Sequence, residues 1–541
     1  MNSEQTLLFV LCAVAVVVAV RWVSERSAVP AAVLLTLVGI GYAVLPGPNI
    51  ELEPKLVLTY LIPPLLYNAA LESSLLDIRR HLRTVISLSV LLVLATALLI
   101  GVGFDLWVSG ATLAAGVALG AAAAPPDPVA ALAVGRRAGL PGKIMTLIRG
   151  EGLLNDATAL TILGVAVAAA QGDGFSYSSA AGTFLVVAAG GVVAGVAIAF
   201  LVRLLRHLPH DPLIANAISL ATPFAAYLLA ESVHVSGVLA VVVAGLIIGH
   251  DSPRYAGAAS RLQTMAVWRL IDFLLEGLVF LLIGQQLPTV VDALARYDTR
   301  TIVIAVAVTI GVTLLVRPLW LVLTQLLPRS LHTRLGGDAE EPGGWNREKA
   351  LDRTEVIALS WAGTRGVISL AAIFTLPPGV PDRDLLHFCT FLVVLVTLLG
   401  QGLTFQPLVR RLGLRANQAD LARERNEARS ASVRAALDRL ADIQHERHDH
   451  VEDQAIENMR RQLEMRLDRY RTRLDLLEKA DSDEVPTSPQ YEAALMVRRK
   501  VIAAQREELL RWRDAGNLND EGLRILEREL DHEERLLPER A

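Results

Sequence analysis

The sequence predicts an all-α polytopic membrane protein, with about thirteen transmembrane helices followed by a helical tail. Three observations carry that prediction. Hydrophobic residues make up 53% of the 541 positions and the mean hydropathy is +0.44, too apolar for a soluble chain of this length. Apolar windows long enough to cross a bilayer follow one another through the first three quarters of the chain. The basic residues between those windows fall, loop after loop, on one side.

The windows lie near residues 6–23, 28–46, 55–71, 84–107, 111–135, 143–170, 180–206, 213–230, 233–250, 265–287, 301–325, 354–377 and 385–409. The first has no basic segment before it and no small-residue cleavage site after it, so it is expected as a membrane helix and not a removed leader. With the N-terminus outside, the inner loops hold Arg21 and Arg26, then Arg79, Arg80 and Arg83, then Arg136, Arg137 and Lys143. Arg203 and Arg206, Arg254 and Arg261, and finally Arg329, Arg334, Arg347, Lys349 and Arg353 continue the series. The opposite loops hold only Lys55, Arg296, Arg300 and Arg383. This bias predicts an N-terminus outside and a cytoplasmic tail. Cys12 and Cys389 both fall in apolar segments, which predicts neither a disulfide framework nor a metal site.

Several windows carry polar groups that a bilayer interior does not tolerate without a reason. The third has Tyr67 and Asn68 after Pro63-Pro64, placing them as candidate neighbours of a cavity. The fifth is interrupted by Ala124-Pro125-Pro126-Asp127-Pro128-Val129. Prolines lack an N–H and crowd the preceding turn, and broken backbone at membrane depth survives only where it is buried in protein or lines a cavity. Asp127 sits at that break, facing the positive end of the second half-helix. The sixth holds Gly150-Glu151-Gly152-Leu153-Leu154-Asn155-Asp156. Glu151 and Asn155 share one helix face, and Asp156 lies about 100° round from Asn155. A charge at the bilayer centre costs at least roughly 2.5–3.5 kcal/mol, so two acids and an amide within two turns point to an ion or proton pathway.

The twelfth window carries Trp361-Ala362-Gly363-Thr364-Arg365-Gly366-Val367-Ile368-Ser369, a lone arginine in glycine-weakened helix. The fifth and twelfth windows are each second in a group of three, and the two groups begin on opposite sides. Paired breaks of this kind predict inverted repeats with a site near the midplane. Asp272 and Glu276, spaced i,i+4 among Trp268, Phe273 and Phe280, are expected to pack the bundle. Glu231 and His234 are expected at an outer turn, and Arg317 towards either the bundle or the interface; none is expected to bind the ion.

The net charge of −4 averages two unlike parts. The division falls at 1–413, membrane, and 414–541, a charged tail of polar helices near 416–443, 450–479, 489–515 and 519–537. Asp481 to Pro489 and Gly516-Asn517 supply its breaks. Leu463, Leu467, Leu474 and Leu477 follow helical spacing, and His445, His448 and His450 read as a solvated face. No glycine-rich loop follows a strand, so a nucleotide-binding regulatory domain is not expected.

These motifs, with Val235-Ser236-Gly237-Val238-Leu239-Ala240 and Thr397-Leu398-Leu399-Gly400-Gln401-Gly402-Leu403-Thr404, resemble the monovalent cation:proton antiporter family, in the bacterial form of its sodium/proton exchanger branch. The resemblance covers all the apolar windows. It implies an elevator-like exchanger, a homodimer in the membrane lipid, whose fifth and twelfth helices unwind and cross. Asp156 would bind sodium or a proton, with Asp127 beside it as the second transient sodium ligand and Asn155 holding the geometry. Glu151 would pair with Arg365, and Pro126, Gly152, Thr364 and Asn68 would line the cavity. Many relatives have Thr in place of Pro126, Ser in place of Gly152 and an acid in place of Asn68, which leaves the choice among sodium, lithium and potassium open.

The expected activity is antiport of a monovalent cation, sodium first, against a proton across the plasma membrane, serving pH and sodium homeostasis. It is no enzyme, takes no cofactor and engages no nucleic acid. A carboxylate that holds either ion but not both couples their opposite movements, and Asn155 in place of a second acid predicts electroneutral exchange. Potassium/proton antiport and a transport-inactive sensor signalling through the tail stand as alternatives. A channel would need a polar file, whereas these acids cluster at one depth.

Overall fold

In this computed structural model the described residues are 3–27, 29–45, 56–171, 177–206, 211–255, 257–326, 351–416, 418–446, 450–478, 489–515, 517 and 520–535. Lys55, Arg329, Arg334, Arg347, Lys349, His448, Gly516 and the 481–488 part of the tail break lie outside them. Two compact units emerge, Met1–Ala416 and Asn417–Ala541.

The first unit is built of helices and short connectors, with no strand among its described residues, as a lipid environment requires of a chain that must satisfy its own backbone. It begins with α1 (Ser3–Arg26), α2 (Ala31–Ala43), α3 (Val57–Leu71), α4 (Leu75–Arg80) and α5 (Leu82–Trp107). The fifth window divides into α6 (Leu113–Ala123) and α7 (Pro128–Ala138), followed by the unbroken α8 (Gly142–Ala170). Next come α9 (Tyr177–Arg206), α10 (Pro212–Ser232), α11 (Gly237–Tyr255), α12 (Ala258–Gln285), α13 (Leu287–Asp292) and α14 (Thr299–Leu326). The twelfth window divides into α15 (Arg353–Trp361) and α16 (Val367–Phe374), and α17 (Arg383–Leu412) closes the unit. Counting α6–α7 as one, eight helices among the described residues are long and apolar enough to cross a membrane.

Local chemistry explains where the broken helices start and stop. Thr112 caps α6 by accepting the Ala115 N–H at 3.2 Å. Asp127 caps α7 by accepting the Val129 N–H at 2.9 Å, with Pro128 at the first helical position, where a missing N–H costs nothing. Gly139, left-handed at φ +70°, ends α7. A capping box between Asp352 and Glu355 starts α15, and Glu355 also meets Lys143 of α8 at 3.3 Å.

Burial sorts the helices into two groups. One core joins α1–α3 to α9–α12 through residues such as Val17, Tyr67, Ala240 and Val279. The other side is built on α5–α8, α14, α16 and α17. Phe104, Leu119, Ile373 and Val393 pack in one of its cores, and Leu88, Leu147, Leu359 and Phe405 in another. Leu153, Ala157 and Leu370 belong to the first core although their helices belong to the second group, so α8 and α16 lie along the seam.

The second unit consists of α18 (Gln418–Glu446), α19 (His450–Glu478), α20 (Pro489–Asp514) and α21 (Asp520–Arg535). Within it α18 packs on α19 and α20 on α21. Leu467 is buried and Leu463 and Leu474 are half-buried, in keeping with their spacing. Arg506 bridges Asp531 at 2.7 Å and Glu534 at 3.0 Å, exposed pairs worth at most about 1 kcal/mol each.

Candidate functional site

The two broken windows meet. The N–H of Asp127 donates to the carbonyl of Thr364 at 2.6 Å, and the Thr364 hydroxyl donates back to the Asp127 carbonyl at 2.9 Å. Each connector thus supplies the partners that the other lost when its helix stopped, the condition for irregular backbone at membrane depth. Gly366 is forced by this approach: a Cβ there would sit 2.7 Å from the Asp127 Cβ, and closer still to its carboxylate. Gly366→Ala should therefore lower stability by about 1–3 kcal/mol, the usual cost of overpacking. A thermal melt indistinguishable from the parent would show that the connectors separate freely.

Asn155 of α8 ties the third chain segment to this crossing. Its Nδ2 donates to the Pro126 carbonyl at 2.9 Å, whereas its fully buried Oδ1 has no donor. A buried acceptor left without a donor costs about 1–3 kcal/mol, so an oxygen held this way invites a ligand. Asp156 follows at 5% exposure, close enough to Asp127 for the two carboxylates to repel. Two acids and a free amide oxygen therefore lie at or beside the break.

The arginines are arranged differently from the expected pairing. Glu151 does not pair with Arg365. Its partner is Arg317 of α14, which donates to Glu151 Oε2 at 2.8 Å and to Oε1 through its other terminal nitrogen. Arg317 also donates from Nε to the Leu359 carbonyl at 2.9 Å. Both side chains are buried. Arg365 turns instead to backbone: its Nε donates to the Ala123 carbonyl at 3.0 Å, a terminal nitrogen donates to the Gly363 carbonyl, and its own N–H donates to Thr397 Oγ1 at 3.0 Å. The physical reason is that α6 and α15 both end here. The Ala123 carbonyl closes α6 and the Gly363 carbonyl lies just past α15, so both lack helical partners and capture the guanidinium. Sequence spacing could not choose between two buried arginines, because the rotation of α14 about its axis is set by packing. A lone arginine within the apolar α14 was the available signal for Arg317.

The expected cavity residues also acquire specific surroundings. Pro126 presents its carbonyl to Asn155, and Thr364 uses its hydroxyl on Asp127. Gly152 is no gap awaiting an ion: the ring of Pro128 fills its open side, with Cδ 2.8 Å from where a Cβ would stand. Asn68 is buried beside Asp272 of α12, a residue that spacing alone had assigned to packing. Among the described residues no group of three or more His, Cys, Asp or Glu side chains is arranged to hold a metal ion.

Comparison with known proteins shows the family. Residues 12–411 match the family model described as the transmembrane sodium/hydrogen exchanger. The chain is 33% identical to the "Uncharacterized Na(+)/H(+) exchanger Rv2287" of Mycobacterium tuberculosis, over 98% of this chain and 95% of that protein. It is 29% identical to the Na(+)/H(+) antiporter ApNhaP of Aphanothece halophytica, over 81% of this chain and 80% of the relative. Its fold is similar to that of the sodium proton antiporter MjNhaP1 from Methanocaldococcus jannaschii, with a TM-score of 0.58 and 18% identity, covering 76% of this chain and 99% of the other. Two mutually supporting helix breaks with Asp127 at one of them and the buried Asp156 on the helix alongside, on a chain matched along nearly its whole length, lead to one conclusion: this protein belongs to the sodium/hydrogen exchanger family, secondary antiporters that span the membrane many times.

Proposed function

We propose that the crossing of the two connectors is the exchange site, and that Asp156 carries either a sodium ion or a proton, never both. The observation that supports this most directly is the free Oδ1 of Asn155 beside the buried Asp156 and the half-buried Asp127. Sodium needs oxygen ligands in place of its hydration shell, and Asp156, Asp127 and Asn155 offer them. Asp127 spends one carboxylate oxygen on the Val129 N–H and keeps the other for the ion. Glu151 and Arg317 neutralise each other, and Arg365 is absorbed by carbonyls. Fully ionised, these five side chains leave one net negative charge, which one sodium or one proton cancels. Exchange is then one for one and electroneutral.

In this reading residues 1–413 transport and 414–541 form a cytoplasmic tail, with the N-terminus outside. The protein works as a homodimer in the plasma membrane and serves pH and sodium homeostasis. Proteoliposomes with an imposed sodium gradient test it. Sodium should drive proton flux in the opposite direction, and parallel runs with lithium and potassium rank the ions. A membrane potential set by potassium and valinomycin should leave the rate unchanged. No sodium-dependent proton flux would end the exchanger assignment, and a rate that follows the potential would end one-for-one stoichiometry.

A further inference from the structure

Among the described residues, two arginines that the exchange site does not use reach across the seam between the helix groups. Arg137, in the last turn of α7, donates from a terminal nitrogen to the Ser24 carbonyl at 3.3 Å. Arg149 of α8 donates in the same way to the Glu72 carbonyl at 3.0 Å. The donors belong to the group that carries Asp127 and Asp156. The acceptors belong to the other group: Ser24 lies in the last turn of α1, and Glu72 caps the end of α3. Both acceptors are carbonyls at helix ends, where the intrahelical ladder runs out and the dipole leaves partial negative charge. A guanidinium is well suited to such an end.

The donors stand on the two elements that bear the acids. Arg149 and Asp156 are two turns apart on one face of α8, and Arg137 ends the half-helix that Asp127 begins. On the acceptor side, Glu72 donates its own N–H to the Asn68 carbonyl at 3.1 Å, so the carbonyl that Arg149 meets is held on α3. Deeper in the seam the packing is apolar: Ala130 of α7 and Leu153 and Ala157 of α8 belong to the same core as Tyr67 and Val241. Apolar contact has no direction and survives sliding, whereas a hydrogen bond is lost once its atoms part beyond about 3.5 Å. The two arginine contacts are therefore specific to one placement of the groups.

We propose that Arg137 and Arg149 are positioning residues that form a two-point latch across the seam, closed in the present arrangement and released when the exchange site turns to the opposite face of the membrane. The latch rests on the exchange reading: a single site that loads from each face in turn requires the groups to shift past one another between loadings. It touches neither ion. It acts on the balance between the two access states, so weakening it makes the site more available from one face and less available from the other.

The test compares the KM for sodium at the two faces, from initial rates of sodium-dependent proton flux by the full chain in right-side-out and inside-out vesicles. The apparent affinity at a face scales with the fraction of protein open to it. Arg137→Ala and Arg149→Ala should each change the ratio of the two KMs about threefold, and the double variant about tenfold, equivalent to roughly 1.4 kcal/mol. One KM should rise while the other falls, whereas damage to the ion site moves both the same way. Arg136→Ala removes an equal charge beside Arg137 without touching the latch, and should leave the ratio unchanged. KMs that move together overturn the latch, as does an unchanged ratio in the double variant. A ratio shifted as much by Arg136→Ala as by Arg137→Ala also overturns it, since surface charge then explains the effect. If the double variant does not purify as a monodisperse protein, the single variants carry the same test, since neither arginine is enclosed. Parent vesicles without any sodium-driven flux end the exchange reading itself, whereas flux with the parental ratio in the variants ends only this proposal.

Discussion

Asp156→Asn is expected to abolish sodium/proton exchange while the protein still inserts, purifies and melts near the parent temperature. The substitution keeps the shape of the side chain and removes only the group that binds sodium and proton alternately. Losing that carboxylate should weaken sodium binding by about a hundredfold or more, roughly 2.7 kcal/mol at 1.4 kcal/mol per factor of ten. No proton is then left to exchange, so flux falls to that of empty liposomes. Folding should not suffer, because Asp156 is 5% exposed beside a second carboxylate and its ionised form is costly there. Sustained exchange in Asp156→Asn liposomes would remove this residue from the mechanism and transfer the role to Asp127.

The largest stability effect is expected at Arg317, and not at Arg365 as the sequence suggested. Arg317→Ala strands the buried Glu151 carboxylate without its two-pronged partner. Breaking one side of a buried pair typically costs about 3–5 kcal/mol, chiefly from the charge left behind. Glu151→Gln in the same background should recover much of that loss, so the two changes combine far less than additively. Glu151→Gln with Arg365→Ala should combine nearly additively, since the Arg365 side chain donates to the Ala123 and Gly363 carbonyls. The two double-mutant cycles, read from thermal or denaturant unfolding in detergent, decide between the pairings. Strong coupling only in the cycle with Arg365 would contradict the arrangement described above.

What could be read from the sequence follows a physical pattern. Lipid demands long apolar helices, and proline forbids their continuation, so windows and breaks are written locally and the divided fifth and twelfth windows appear where the prolines and glycines place them. Asn155 and Asp156 stood out because polar groups in an apolar span need a reason. Helix rotation, by contrast, is decided by packing between elements far apart in the chain. That is why Arg317 was passed over for Arg365 as the partner of Glu151. Gly152 makes the same point in another way. Its missing side chain suggested a lost ion ligand, and the structure shows a place for a proline ring.

That ring has a mechanical consequence. Pro128 sits in the notch at Gly152 while Asn155 grips the carbonyl just before Asp127, so α7 and α8 are indexed to each other like a pin in a socket. Sliding one past the other by a single turn, about 5.4 Å, would drive the ring into helix backbone. Interlocked surfaces of this kind do not serve as a slip plane. Whatever displacement carries an ion from one side of the membrane to the other has to be taken up at smoother contacts, and the spacing of Asp127 and Asp156 stays fixed throughout it.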